Sequence, residues 1–297
     1  MNTHESAAMR RAIAISAQGL GSASPNPPVG CVILDRDGRT VGEGYHVRKG
    51  NPHAEVNALA AAGNLADGGT ALVTLEPCNH YGRTPPCREA LIQANVARVL
   101  IAVMDPTSRG EGGAALLRAA GVQVETNVLE DEALIVLGPW LAALKNGRPF
   151  VTWVYTADSD GLPDSDRERD AAFHEMRAIR GSYDLLVHED GGIAEGMPGS
   201  HGEGVFRTPA DWPRDGAGEI LRAFGETGAR SLLIHGASEY ATSFSAAGAV
   251  DQVIAYLPST PHSRSPDFAH LTAVPEGYRL TDVTRRGNHV RVVGRRA

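Results

Sequence analysis

A set of metal-ligand side chains split between two segments constrains this chain more than any other feature. His53-Ala54-Glu55 supplies an imidazole and a carboxylate, and Pro77-Cys78 and Pro85-Pro86-Cys87 supply two thiols with eight residues between them. One imidazole and two thiolates hold a zinc ion with one position open to water, so the two segments must meet in the fold. Hydrophobic periodicity says how. His53 to Ala62 is alanine-rich, with Val56, Leu59 and Ala60 spaced for one helical face, which places His53 and Glu55 in a first turn. Thr70 to Leu75 reads as a strand ending at the Glu76-Pro77-Cys78 turn, and Arg88 to Asn95 as a short helix opened by Pro86-Cys87. Two helix N-termini then converge on the metal, and their free N–H groups and dipoles favour thiolate over thiol. Pro77, Pro85 and Pro86 restrict the backbone around both cysteines, so less freedom is lost on metal binding. Two thiolates nearly neutralise Zn²⁺ and make it a milder activator of water than a three-histidine site, so a proton carrier is needed nearby. Glu55 fits that need.

The rest of the chain reads as two α/β halves. At 297 residues, 42% hydrophobic and 21% charged, it buries a substantial core and suits two domains. A helix over Ser6 to Gln18 is interrupted by Arg10-Arg11 and lacks a cleavage pattern, and no apolar run is long enough for a bilayer, so the expectation is a cytoplasmic protein without membrane contact. Three cysteines, two of them in the metal motif, suit a reducing compartment, and Cys31 reads as a buried strand residue. A formal charge of −7 disfavours a nucleic-acid partner. Val29 to Leu34 and Thr40 to His46 form a hairpin across Asp35-Arg36-Asp37-Gly38, and Arg98 to Met104, Gly112 to Ala120 and Val122 to Thr126 continue as strand, helix, strand. Strands alternating with crossover helices imply a mostly parallel sheet. After a helix over Leu129 to Leu144, Asn146-Gly147 marks the boundary, giving domains 1–147 and 148–297. In the second half, Phe150 to Tyr155, Tyr183 to Val187, Ser231 to His235 and Val250 to Tyr256 read as strands; Arg167 to Arg180, Ala217 to Thr227 and Glu239 to Ala247 read as helices. Glu189 to Gly204 reads as a long loop, and Tyr278 to Val283 with His289 to Val293 as a closing hairpin.

This ligand set beside a proton carrier is the equipment for hydrolytic deamination: water is added to an amidine-like ring carbon, Glu55 relays protons to the ring nitrogen and the departing ammonia, and a carbonyl remains. A purely structural zinc is the bland alternative. Nucleobase deaminases share His-x-Glu and Pro-Cys but close with Cys-x-x-Cys, and the longer spacing here points away from ordinary cytidine deaminases. At Pro25-Asn26-Pro27-Pro28-Val29-Gly30-Cys31-Val32-Ile33, Val41 to His46, Pro52 to Leu59, and Thr74 to Cys78 through Gly82 to Cys87, the chain resembles the bacterial bifunctional riboflavin-biosynthesis deaminase/reductase family. The resemblance implies a cytidine-deaminase-like three-layer α/β/α domain followed by a shortened dihydrofolate-reductase-like α/β domain. It implies removal of the 2-amino group of 2,5-diamino-6-(5-phosphoribosylamino)pyrimidin-4-one. It also places His53, Cys78 and Cys87 on zinc, Glu55 as acid/base, and Asn26, His46, His80, Arg83, Thr84 and Asp105 around base, ribose and phosphate. The bland alternatives are a turn between prolines for Asn26 and solvated loops for His46 and His80.

Two stretches depart from the family pattern. Thr107-Ser108-Arg109-Gly110-Glu111-Gly112-Gly113 follows Asp105-Pro106, so sugar-phosphate contacts are expected to differ. In the second half the family lysine position is Val154, only Asp160-Gly161 remains of a Ser-Leu-Asp-Gly segment, and the late phosphate-cradling turn appears only as His235-Gly236-Ala237. Leu162 to Asp170 and Gly191 to Gly204 stand where two further motifs belong. The glycines, backbone donors and positive group that NADPH needs do not assemble, so NADPH is not expected as a cofactor. The second domain is expected to fold, not to reduce, and to serve packing or a homodimer contact. Three readings stand: a zinc deaminase with a non-reducing partner domain, the complete bifunctional enzyme, and a zinc-stabilised scaffold. A loss of reduction would suit diversion of a pathway intermediate into a specialised metabolite.

Overall fold

The computed structural model describes residues 1–81, 85–157, 163–164, 171–197, 216–258 and 275–297. It divides into two compact units, Met1–Leu141 and Ala142–Ala297.

In the first unit, α1 (Thr3–Ser16) leads into β1 (Gly30–Leu34) and β2 (Thr40–Tyr45), which form the expected hairpin. The Asp35 carboxylate makes the turn by accepting the N–H groups of Asp37 and Arg39, both at 2.9 Å. Then follow α2 (Ala54–Ala62), β3 (Thr70–Leu75), α3 (Cys87–Gln93), β4 (Arg98–Val103), α4 (Gly112–Ala119), β5 (Gln123–Glu125) and α5 (Glu130–Asn146), the last running past the division between units. The sheet order is β2-β1-β3-β4-β5, antiparallel at β1 and parallel from β3 to β5. β3 and β4 are buried from their second residue to their last, which is why both read as unbroken apolar runs.

Strand alternation assigns the layers. Cys31 pairs with Gly44 and Ile33 with Gly42, so these four share one face, and a Cβ at either glycine would strike the α2 backbone around Ala58. Gly30 points to the opposite face, where a Cβ would strike Ala12 of α1. Helices therefore cover both faces, giving three layers. The glycines of Val41-Gly42-Glu43-Gly44 let α2 lie directly on the strand, and this close approach fixes where the helix N-terminus stands.

The second unit is built on β6 (Phe150–Ala157), β7 (Pro163–Asp164), α6 (Ala171–Ile179), β8 (Leu185–Val187), β9 (Ile193–Glu195), α7 (Ala217–Glu226), β10 (Ser231–His235), α8 (Glu239–Ala246), β11 (Gln252–Pro258), β12 (Tyr278–Arg286) and β13 (His289–Arg296). Its sheet runs β12-β13-β11-β6-β10-β8-β9, with β7 pairing β6; β11, β6, β10 and β8 are parallel. One face packs Val151, Trp153 and Tyr155 against Ile220, Phe224 and Phe244 of α7 and α8; the other packs Val154, Leu186, Leu233 and Ile254 with Met176 of α6. Asp251 ties the strand entrance, accepting from the Arg148 guanidinium at 2.6 and 2.8 Å and from Val151 N–H at 2.8 Å. The segment read as a structureless loop contains β9, antiparallel to β8; three residues are too few to show alternation, and the turn that returns them uses Gly191 at φ 79°. The expected helix from Arg167 is described from Ala171; Asp160-Gly161, most of Leu162 to Asp170, and 198–204 of the Gly191 to Gly204 segment lie outside the described residues.

Candidate metal centre

The candidate metal-ligand side chains meet beyond the carboxyl end of β3. His53 is the extended N-cap residue of α2 (φ −72°, ψ 166°) and not a first-turn residue, while Cys87 opens α3 directly after its N-cap Pro86. Cys78 follows β3 by three residues. The ligand atoms of His53, Cys78 and Cys87 all lie within 4.8 Å of one another. His53 Nδ1 is 3.2 Å from Cys87 Sγ and 3.6 Å from Cys78 Sγ. Tetrahedral zinc bonds of about 2.0–2.1 Å to nitrogen and 2.3 Å to sulfur imply nitrogen–sulfur edges of about 3.6 Å, so the spacing and the donor types suit zinc. The Cys87 N–H also points at Cys78 Sγ, at 3.3 Å, which is the helix N-terminal stabilisation of a thiolate.

Electrostatics sort the roles. Hydrogen bonding from the Cys87 thiol, aided by His53, pulls the Cys78 thiol down to about 4; the same hydrogen bond, and then burial, pushes Cys87 up. The hydrogen bond with Cys78 raises His53 against its burial. Glu55, 3% exposed on the first turn of α2, is pushed up to about 7 by burial and then by Cys78, with His53 opposing. Cys31 lies on the face beneath α2, where burial and then Glu55 raise its thiol well above the ordinary value, as suits an inert strand residue.

The remaining predicted residues divide into three groups. Asn26 and His46 are brought together: Asn26 Nδ2 is 3.1 Å from His46 Nε2, and His46 Nδ1 is 3.1 Å from the Pro52 carbonyl oxygen. A carbonyl only accepts, so Nδ1 carries the proton; burial lowers the His46 pKa, and the neutral ring then accepts from Asn26 at Nε2. That fixes the Asn26 amide with Nδ2 inward. His46 is 2% exposed and stands edge-on to His53 with ring centroids 5.2 Å apart, so it is a buried ring and not a solvated loop histidine. Asp105 follows β4, the parallel neighbour of β3, and its Oδ1 closes a turn by accepting from Thr107 N–H at 2.8 Å and the Thr107 hydroxyl at 2.7 Å. His80 is exposed on the segment after Cys78, and Arg83 and Thr84 lie outside the described residues.

Two supporting residues escaped sequence reading. Trp140 Nε1 donates to the Pro25 carbonyl at 3.1 Å and braces the turn that carries Asn26. Glu76 is buried and its Oε1 accepts from Ala114 N–H at 2.9 Å, joining the cysteine segment to α4. A carboxylate immediately before a ligand-bearing Pro-Cys was the available signal for the second; nothing in the spacing announced the first.

Residues 2–103 match the cytidine and deoxycytidylate deaminase zinc-binding region. The chain is 50% identical over 157 residues to riboflavin biosynthesis protein RibD of Mycobacterium tuberculosis, covering 52% of this chain and 46% of that one. It is 47% identical over 154 residues to Escherichia coli RibD, covering 52% and 42%. The matched stretch thus spans less than half the length of these relatives. Among solved structures, Acinetobacter baumannii RibD superposes with a TM-score of 0.78 at 27% identity over 99% of both chains. A Thermotoga maritima diaminohydroxyphosphoribosylaminopyrimidine deaminase/5-amino-6-(5-phosphoribosylamino)uracil reductase gives 0.79 at 24% identity, again over 99% of both.

Proposed function

We propose that this RibD-like chain is a zinc-dependent aminohydrolase. In this reading it removes the 2-amino group of 2,5-diamino-6-(5-phosphoribosylamino)pyrimidin-4-one or a close relative, and its second unit does not reduce the product. The observation that carries the deaminase reading is the convergence of His53 Nδ1 and the two cysteine sulfurs within 4.8 Å beside the buried Glu55 carboxylate. His53, Cys78 and Cys87 would hold the zinc, which would supply the Lewis acidity that makes a water nucleophilic near neutral pH. Glu55 takes up the proton released by that water, and its burial keeps the proton from solvent. It passes that proton to the ring nitrogen, then takes the second proton from the hydroxyl added at the ring carbon and hands it to the leaving amine, so that ammonia departs and a carbonyl remains. Asn26, its amide fixed by His46, presents Oδ1 as an acceptor for a base or ribose donor, and His46 acts by holding that amide in place. His80, Arg83, Thr84 and Asp105 are assigned to ribose and phosphate.

Two features of the second unit support the loss of reduction. Val154, at the family lysine position, is buried within the apolar face of β6. At Gly236 a Cβ would lie 1.7 Å from Glu189 Oε1, so a carboxylate occupies the approach to the turn where a dinucleotide phosphate would need to come. The full-length likeness to Acinetobacter baumannii RibD favours the bifunctional enzyme as a second reading.

A panel of aminopyrimidine ribosides and their phosphates, read by ammonia release and mass change, tests the reaction. Glu55→Gln should abolish ammonia release while zinc content stays at the wild-type level; undiminished release refutes the mechanism. Incubating the deaminated product with NADPH should leave NADPH unoxidised, and clear turnover selects the bifunctional reading. Sedimentation of the intact chain decides whether it forms a homodimer.

A further inference from the structure

We infer that Glu76 is a positioning residue that sets the Cys78 sulfur in the zinc site through the N-terminus of α4, an inference that rests on the zinc reading above. The first turn of α4 lacks a side-chain cap of its own: Glu111 stands at the N-cap in helical conformation and makes no capping hydrogen bond. Glu76 supplies the missing acceptor from outside the helix, its Oε1 receiving Ala114 N–H at 2.9 Å in a buried contact. A carboxylate there also meets the positive end of the helix dipole.

Two adjacent glycines make this docking possible. At Gly112, φ is 81° and a Cβ would lie 2.7 Å from Glu76 Oε1; at Gly113 a Cβ would lie 1.9 Å from the Pro77 carbonyl oxygen. The helix turn therefore rests directly on Glu76-Pro77, the two residues before Cys78. On the strand side, Glu76 N–H donates to the Val103 carbonyl at 2.9 Å, extending the β3–β4 pairing by one residue.

A second tie lies just beyond the cysteine. Asn79 Nδ2 donates to the Arg109 carbonyl at 3.0 Å, and Asn79 Oδ1 accepts from Arg88 Nε at 2.5 Å. Arg88 is the residue after the ligand Cys87. The Cys78 segment is thus fastened on one side by α4 and on the other by the α3 N-terminus, and residues 105–113, which carry Asp105, belong to the same fastened unit. Freedom removed from the ligand before metal arrives is freedom that need not be lost on binding, which slows escape of the ion.

The test is zinc loss from the full-length zinc-loaded protein to an excess of a chromogenic chelator, alongside thermal melting. Glu76→Ala should release zinc about 10–100-fold faster than wild type, the range typical of outer-shell partners of metal ligands. Glu76→Gln keeps an acceptor oxygen and should restore most of the retention. Leu117→Ala, in the buried face of the same helix, should lower the melting temperature without this acceleration. Asn79→Ala should accelerate loss by a smaller factor and provides the reading if Glu76→Ala does not fold. Zinc release from Glu76→Ala that equals wild type, or that merely tracks melting temperature together with Leu117→Ala, overturns the inference. A wild-type protein that holds no zinc overturns the underlying reading instead.

Discussion

Replacing Gly44 by alanine should slow catalysis in the folded protein, a loss that its lower stability does not explain. The added Cβ would lie 2.5 Å from Ala58 N, 2.6 Å from Ala54 O and 2.6 Å from Asn57 Cβ. Comfortable carbon contacts sit at about 3.5–4.0 Å, so α2 must retreat from β2 by about 1 Å, and two of the three obstacles are backbone atoms that cannot swing aside. His53 and Glu55 ride on the N-terminus of that helix and move with it. Cys78 and Cys87 are carried by other elements and stay. A displacement of about 1 Å at reacting groups costs on the order of 100-fold in rate, whereas overpacking of this kind costs about 1–3 kcal/mol of stability. Gly38→Ala is the control: φ is 81° and a Cβ meets nothing within 4 Å, so it loses about 1–2 kcal/mol through backbone strain alone, in the hairpin turn and away from the helix. Ammonia-release kcat, zinc content and urea unfolding measured on both variants separate the effects. Equal kcat for the two variants at matched stability would refute the claim that the glycines of β2 set the position of His53 and Glu55.

Two further outcomes follow from particular contacts. His46→Phe keeps a flat ring, larger than the imidazole, but leaves the Pro52 carbonyl and Asn26 Nδ2 without their ring partner, which should cost about 1–3 kcal/mol beyond any overpacking and raise KM more than it lowers kcat; an unchanged KM would show that the Asn26 orientation does not matter to binding. In the second unit, burial, then Arg180 and His188, lower His235 from 6.5 to about 4, and the exposed Glu189 carboxylate 3.8 Å away does not reverse this. The unfolded chain therefore takes up a proton between pH 6.5 and 4 that the folded chain refuses, so stability is full above 6.5 and falls as pH drops through that window. Glu55, raised to about 7, works in the opposite direction over the same range, so the His235 contribution is read as a difference: between about pH 7.5 and 4.5 the stability of wild type relative to His235→Gln, measured by urea unfolding, should fall by on the order of 2–3 kcal/mol. A stability difference between wild type and His235→Gln that stays constant across that range would refute the assignment.

How much of this was legible in the sequence depends on the length of each signal. The convergence of His53, Cys78 and Cys87 was legible because they are chemically distinctive and both cysteines follow prolines, and β3 and β10 were placed at their observed bounds, Thr70–Leu75 and Ser231–His235, by compact apolar runs. β9 was not, because its three residues carry no period and its pairing is set by the turn at Gly191. The roles of Trp140 and Glu76 were hidden for a different reason. Each acts on a partner far along the chain, Pro25 and Ala114; the place of Glu76 beside Pro-Cys marks the residue, but hydrogen bonds between distant residues leave no local pattern that names the partner. His46 shows the same limit: as a motif residue it suggested a substrate contact or a solvated loop, and only the fold reveals that both ring nitrogens have partners inside the protein.

The persistence of the second unit beside a proposed loss of reduction has a physical basis. Its sheet is held by Val151, Trp153, Leu232 and Ile234 on one face and Leu233 and Ile254 on the other, with Arg148 and Asp251 fastening the strand entrance. None of these contacts depends on what the carboxyl ends of β6, β8 and β10 present. Dinucleotide binding in a parallel sheet needs donors and open backbone at those ends, a requirement separate from core packing. Substitutions such as valine at 154 or an acid at 189 can therefore remove a nucleotide site while the core remains intact, so that likeness of fold along the whole chain and identity of activity along the whole chain are independent questions. Only the NADPH assay on the deaminated product answers the second.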